Sequence, residues 1–260
     1  MRALITGAGG TIGKVLCELL LRDNMEVIAW NRDQIPVDDY QRMEDFVRKV
    51  QPDILFHLAY ASRLSGIENE SWKINFEWTS ELAWITKILS VKFIFTSTNL
   101  VFSNRIEAPY TVLSIPDADA GYGFEKRKAE ERVLSQNPNA IITRLGWQIG
   151  KQAGSNNMID YLERKMKQEG EVHASIHWKP ACSFLEDTCQ KLIEIATGFS
   201  PGIYMIDSNE KWSFYDIAKA LNILHQYPWK IIPAENYTAD TRMKDDRVNM
   251  IPLKERLPLP

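Results

Sequence analysis

Little in this chain is extreme, and each shortage excludes a class of protein. Three cysteines occur, Cys17, Cys182 and Cys189, an odd number without a close Cys-x-x-Cys pair. That pattern argues against a disulfide scaffold and for reduced thiols. No apolar run approaches the roughly 18–20 residues that cross a bilayer, so no membrane partner is expected. Neither sign of charge dominates: the formal balance is −3 over 260 residues. Attraction to nucleic acid or to an anionic surface is therefore not expected. No charged leader precedes the first strand-like run, Arg2-Ala3-Leu4-Ile5-Thr6, and a cytoplasmic location is the expectation. Internal repeats and low-complexity stretches are missing too. What remains is an ordinary globular composition, 45% hydrophobic, long enough to bury a sizeable core.

Short β-rich runs alternate with helical patterns over the first 145 residues. Strands are expected at 2–6, 25–30, 53–58, 92–96 and 140–144, and their near-continuous apolar character predicts burial on both faces. Helices are expected at 11–22, at 40–50 behind an Asp39 cap, at 70–90 and at 122–135. The third carries an apolar stripe of Ile74, Trp78, Leu82, Ile85 and Leu89. This alternation predicts an α/β fold with a Rossmann-type doubly wound parallel sheet. After Gly146 the rhythm loosens, with helices expected at 157–168, 183–197 and 213–225 and a strand at 202–205. Residues 1–145 are expected to form a dinucleotide-binding core, with helix 183–197 returning to it. Residues 146–260 would mainly form a small substrate-binding lobe.

Gly7-Ala8-Gly9-Gly10-Thr11-Ile12-Gly13 follows a strand and opens a helix, the context that gives a glycine motif meaning. Gly7 permits a tight turn, Gly10 lets the backbone approach a pyrophosphate, and Gly13 permits close helix–strand packing. The helix start, with Thr11 and Ile12, offers free N–H groups and partial positive charge to phosphate. Asn31 and Arg32 end the second strand, where an arginine suits a 2′-phosphate, so NADP(H) is favoured. Asp33 is able to serve a ribose 2′-hydroxyl, which leaves NAD(H) open.

Tyr122 and Lys126 are four residues apart, on one face of a helix. An ordinary tyrosine has a pKa of about 10, and a nearby ammonium is expected to bring it toward working pH. Such a pair suits acid–base work beside a carbonyl that accepts hydride. Thr96, Ser97 and Thr98 end the fourth expected strand, at the edge where doubly wound sheets bind ligands. Asn75, in the preceding helix, offers an amide to hold a water or fix the lysine.

With these motifs in order, the chain resembles an extended short-chain dehydrogenase/reductase, and within that group the dTDP-4-dehydrorhamnose reductase family. The likeness takes in the glycine turn, Gln51-Pro52-Asp53-Ile54, Ile74-Asn75, Ser97 to Phe102, Pro109-Tyr110, Tyr122-Gly123 with Lys126, Arg144, Gly202-Ile203-Tyr204, Ser213 to Ala218 and Arg242. The resemblance implies a catalytic set of Thr98, Tyr122 and Lys126. It implies reduction of the 4-keto group of a nucleotide-linked 6-deoxysugar, with Tyr122 giving the proton. Leu58, Ala59, Tyr60, Asn75 and Thr96 would join the cofactor wall, and Ser97, Asn99, Trp147 and Arg242 the substrate wall. The chain departs from the family at Asn99-Leu100, Val112, Met243 and Pro36, which bears on the substrate. An epimerase with retained NAD and a non-catalytic subunit of the same fold are the alternatives, and a homodimer is left open.

Three further features have plain readings. His173 and His177 have a spacing seen in metal sites, but Cys182 is only a candidate third ligand, so the histidines are read as lobe residues and no metal is expected. Lys126-Arg127-Lys128 followed by Glu130-Glu131 is read as a solvated helix face. For Trp147, core packing and a role in the sugar pocket stand level.

Overall fold

The computed structural model describes residues 1–61, 66, 68–105 and 107–259. The first half runs β1 (Arg2–Thr6), α1 (Thr11–Arg22), β2 (Glu26–Ala29), α2 (Tyr40–Val50), β3 (Ile54–His57), α3 (Glu70–Trp72), α4 (Trp78–Ile88), β4 (Lys92–Thr98), α5 (Gly121–Gln136) and β5 (Ile141–Leu145). Then come β6 (Trp147–Ile149), α6 (Met158–Glu169), β7 (Val172–Ser175), β8 (Trp178–Lys179), β9 (Cys182–Phe184) and α7 (Leu185–Gly198). The chain closes with β10 (Gly202–Ile206), α8 (Phe214–His225), β11 (Ile231–Ala234) and β12 (Ala239–Asp240).

The main sheet has strand order β10-β5-β4-β3-β1-β2, with β1 parallel to β2 and β3, and β3 parallel to β4. Both faces of β3 and β5 are buried, as their apolar runs require. β2 differs from that expectation: it is an edge strand, with Glu26 and Ala29 exposed. Asp39 caps α2 as expected, its side chain accepting from the Arg42 N–H at 3.0 Å. The helix expected at 70–90 is interrupted, because a π-turn, Lys73–Glu77, joins α3 to α4. Its apolar stripe is nonetheless buried, Ile74, Trp78, Leu82 and Ile85 all lying in the core with Phe93, Phe95 and Ile142. No helix among the described residues is long and apolar enough to cross a membrane.

The chain divides into two compact units: residues 1–103, 116–144 and 189–204 in the first, and 104–115, 145–188 and 205–260 in the second. The second unit holds three short parallel strand pairs, β6 with β9, β7 with β11, and β8 with β12. Its core gathers Met158, Ile159, Leu162, Trp212, Phe214, Ile217 and Leu221. Ser213 and Asp216 form a capping box at the start of α8.

The charged run on α5 corrects the solvated-face reading. Lys128 and Glu131 do pair on the surface at 2.7 Å, but Lys126 is 1% exposed and Glu130 3% exposed. Glu130 accepts two bonds from Arg144 of β5, at 3.0 Å from Nε and 2.7 Å from Nη2. The guanidinium also lies 5.0 Å from the Phe102 ring. Removing one partner of a buried pair strands the other charge, at a cost of about 3–5 kcal/mol. Arg144→Met is expected to lose stability of that order in urea unfolding. The double variant Arg144→Met/Glu130→Leu should recover most of it.

Candidate active site

Strand order reverses between β1 and β3, and ligands of such sheets bind outside the carboxyl ends of the strands at that crevice. β1 ends at Thr6, and the chain turns at Gly7 with φ +72°. A side chain at Gly7 would press to 2.9 Å from the Ala59 nitrogen, and one at Gly13 would collide with the Gly7 carbonyl. The turn thus brings the start of α1 against the segment that follows β3. Gly10 is the N-cap of α1 and supplies no side-chain bond, and the first turn contains no acidic residue. The first N–H groups of α1, at Thr11, Ile12 and Gly13, therefore have no helical partner and no side-chain cap. That is the fit an anionic pyrophosphate requires.

Beneath the turn, His57 is fully buried on β3 and contacts two hydroxyls, Thr6 Oγ1 at 2.7 Å and Thr79 Oγ1 at 2.9 Å. The Thr79 hydroxyl donates to the Asn75 carbonyl at 3.1 Å, and Thr6 Oγ1 accepts the Ala59 N–H at 3.3 Å. One proton arrangement satisfies this chain: Thr6 donates to Nδ1, and Nε2 donates to Thr79. Burial, with the Lys126 charge second, holds the imidazole well below its usual pKa. Sequence reasoning missed this residue, since a single histidine in an apolar strand carries no motif.

The rim residues then fall into place. Leu58 is buried, Ala59 lies on the Gly7 turn, and Tyr60 is 36% exposed with its ring 5.8 Å from that of Tyr122. β4 runs two residues past its expected end and buries Ser97 and Thr98. Thr96 donates to the His57 carbonyl at 3.1 Å. Thr98 Oγ1 accepts the Leu100 N–H at 3.2 Å, starting a 3-10 turn at Asn99–Val101. The Leu100 carbonyl meets Gly123 so closely that any Cβ there would overlap it. Gly123 is thus what sets the α5 segment bearing Tyr122 against the Thr98 turn.

Lys126 is buried on the sheet side of α5, its Nζ 4.1 Å from the centre of the Phe95 ring. Burial pushes its pKa down to about 7, with Glu130 and then Glu125 opposing the fall. Tyr122 moves opposite to the sequence expectation. Burial raises the phenol above its ordinary value, and Tyr60 and Glu125 push the same way. In the protein alone, Tyr122 is therefore a phenol that holds its proton.

Asn75 occupies the π-turn and is wholly buried. Its Oδ1 accepts the Ala61 N–H at 3.0 Å, and its Nδ2 donates to Glu125 Oε2 at 2.7 Å and Ser71 Oγ at 3.2 Å. Ser71 and Glu125 escaped the sequence reading, although Glu125 sits between Tyr122 and Lys126. Asn31, Arg32 and Asp33 are exposed at the end of β2, and the Asn31 side chain closes the turn by accepting from the Asp33 N–H at 2.9 Å.

Two expected substrate residues belong to the second unit. Trp147 is partly buried on β6, stacked on Trp178 at 5.8 Å and edge-on to Tyr161 at 5.3 Å. Arg242 grips Asp240 through two nitrogens, at 2.8 and 2.6 Å, and donates to the Glu210 carbonyl. His173 is exposed and contacts Glu171 at 2.9 Å, whereas Cys182 is fully buried. Among the described residues, no group of three His, Cys, Asp or Glu side chains is placed to hold a metal.

Known proteins resemble this chain over most of its length. A family model described as RmlD substrate binding domain matches residues 1–245. The spore coat polysaccharide biosynthesis protein SpsK of Bacillus subtilis is 25% identical over 223 residues, covering 85% of this chain and 78% of that protein. A dTDP-4-keto-6-deoxy-D-glucose reductase of Streptomyces niveus is 24% identical over 237 residues, covering 89% and 82%. The solved structure of a dTDP-4-dehydrorhamnose reductase from Bacillus anthracis, in complex with NADP, superposes with a TM-score of 0.84 at 19% identity, covering 98% and 96% of the two chains.

The low pKa of Lys126 has a consequence for stability. The unfolded lysine, near 10.5, binds its proton more tightly than the native one, near 7. The cost of charging Lys126 in the native state is full below pH 7 and disappears as pH rises toward 10.5. Stability from this group therefore rises with pH across that window. Lys126→Met should be more stable than wild type at neutral pH by a margin that shrinks toward pH 10, read by chemical unfolding of the ligand-free protein at each pH. A constant margin would place Lys126 outside the buried layer.

Proposed function

Because the chain belongs to the RmlD substrate binding domain family, we propose that it reduces the 4-keto group of a nucleotide-linked 6-deoxysugar with a nicotinamide dinucleotide, NADP(H) in preference to NAD(H). The observation that carries the reading is the contact of Gly123 with the Leu100 carbonyl, which sets Tyr122 beside the turn that Thr98 begins. The two compared reductases act, by name, on dTDP-linked sugars, which makes such a sugar the first substrate to assay.

The residues present suit each part of that reaction. The uncapped start of α1, at Gly10, Thr11, Ile12 and Gly13, would hold the pyrophosphate. Exposed Arg32 would bind a 2′-phosphate. When bound, the reduced dinucleotide supplies hydride. Thr98 orients the carbonyl, and the buried Oγ of Ser97, the residue before it, has no partner among the described residues. Tyr122 delivers the proton to the oxygen as negative charge develops there. Its raised pKa keeps it protonated before the reaction. Lys126, once charged, stabilises the phenolate that remains.

Tyr122→Phe should lower the rate of NADPH oxidation with a dTDP-linked 4-keto-6-deoxysugar by at least about a hundredfold, while NADPH affinity changes only slightly. Normal turnover in this variant would remove Tyr122 from the mechanism. Arg32→Ala should raise KM for NADPH roughly tenfold, in line with a lost charge-assisted contact, and leave KM for NADH nearly unchanged. Equal effects on both would overturn the cofactor preference.

A further inference from the structure

Glu125 has no place in the reaction just described, yet its carboxylate is the endpoint of a partly buried hydrogen-bond chain. One oxygen, Oε2, accepts from Asn75 Nδ2 and from Ser71 Oγ, both at 2.7 Å. The other end of the same amide takes the Ala61 N–H at 3.0 Å. Both hydrogens of the Asn75 amide are thereby spent, one on Glu125 and one on Ser71. The side chain therefore has no donor left over for a dinucleotide. The amide is also polarised end to end, because its carbonyl receives a backbone donor and its nitrogen faces a full negative charge.

This chain joins two parts of the fold that are far apart in sequence. Ala61 follows directly on Leu58-Ala59-Tyr60, the segment packed on the Gly7 turn. Glu125 lies on α5 three residues after Tyr122 and one before Lys126. The π-turn at Lys73–Glu77 places Asn75 between them, and wide turns of this kind are common at functional sites. The same turn leaves the Asn75 backbone carbonyl to the Thr79 hydroxyl at 3.1 Å, so the residue is held at backbone and side chain alike.

We propose that Glu125 and Asn75 form a latch that sets the spacing between the cofactor wall at residues 58–61 and the helix carrying Tyr122 and Lys126. Glu125 is a positioning residue: it acts through Asn75 and the Ala61 amide and touches neither cofactor nor substrate. The inference rests on the dinucleotide-binding reading above. The direction of the bond is its specific content: an amide donor from α3–α4 must meet an acceptor from α5.

Exchanging donor and acceptor tests it. In Asn75→Asp two carboxylates face each other and the donor is gone, while Asp still accepts from Ala61. In Glu125→Gln the acceptor oxygen is kept but the charge is not. The double variant Asn75→Asp/Glu125→Gln restores one donor, one acceptor and one charge, with the polarity reversed. NADPH affinity, titrated by fluorescence, is read with KM and kcat for the four proteins, and thermal unfolding checks that each is folded. Asn75→Asp is expected to weaken NADPH binding at least about tenfold, the loss of one charge-assisted bond. Glu125→Gln should change it by less than about threefold, and the double variant should bind at least about threefold more tightly than Asn75→Asp. An effect of Asn75→Asp that the second substitution does not relieve would overturn the latch, as would unchanged affinity in Asn75→Asp. Failure of the wild type to bind any nicotinamide dinucleotide would instead overturn the functional reading, and the latch with it.

Discussion

The rim of the sheet depends on how α5 is fixed to the layer below it. Sterically, the helix can sit where it does only because residue 123 has no side chain to strike the Leu100 carbonyl. Electrostatically, it is held by ions inside the core. Glu130 is clasped by Arg144, and the Lys126 ammonium lies over Phe95. In a low-dielectric interior such groups are tolerable only with their partners in place, so a slide or rotation of the helix would leave a charge unpaired. Glu125 adds a fourth attachment toward the π-turn. Tyr122 inherits its position from these four contacts, none of which it makes itself.

Much of this was legible in the sequence where periodicity or turn chemistry speaks. The glycine turn, the Asp39 cap and the alternating strands and helices of the first unit follow from local rules that need no tertiary knowledge. The strands of the second unit were not legible, because β6 to β9, β11 and β12 have two to four residues, too few to show a period. The burial of Lys126 and Glu130 was hidden for another reason. A charged run reads as solvated unless its partner is known, and Arg144 lies on a different element. The ends of the Asn75 chain, Ala61 and Glu125, are likewise 14 and 50 residues from the amide they share. Such pairings exist only once the sheet has formed.

The second unit is governed by aromatic packing instead. Trp147, Tyr161, Trp178 and Phe214 contact one another in stacked, tilted or edge-on pairs. Next to Trp147, the Gln148 amide donates to the Gly146 carbonyl, while its Oε1 is buried without a partner among the described residues. Arg242 is no loose cation waiting for a phosphate, since its guanidinium is already committed to Asp240 and the Glu210 carbonyl. Any anion that used it would have to share or displace those bonds. The charge is therefore a property of a tied loop rather than of a free side chain.

The bare opening of α1 means that the polypeptide's own hydrogen-bond inventory is incomplete just after the Gly7 turn. A ligand that fills it joins the folding equilibrium as well as the chemistry. At a hundredfold excess over its dissociation constant, such a ligand adds about 2.7 kcal/mol to the native state, a sizeable part of the 5–15 kcal/mol that is typical for folded proteins. Occupancy of that opening would then set how readily the protein unfolds.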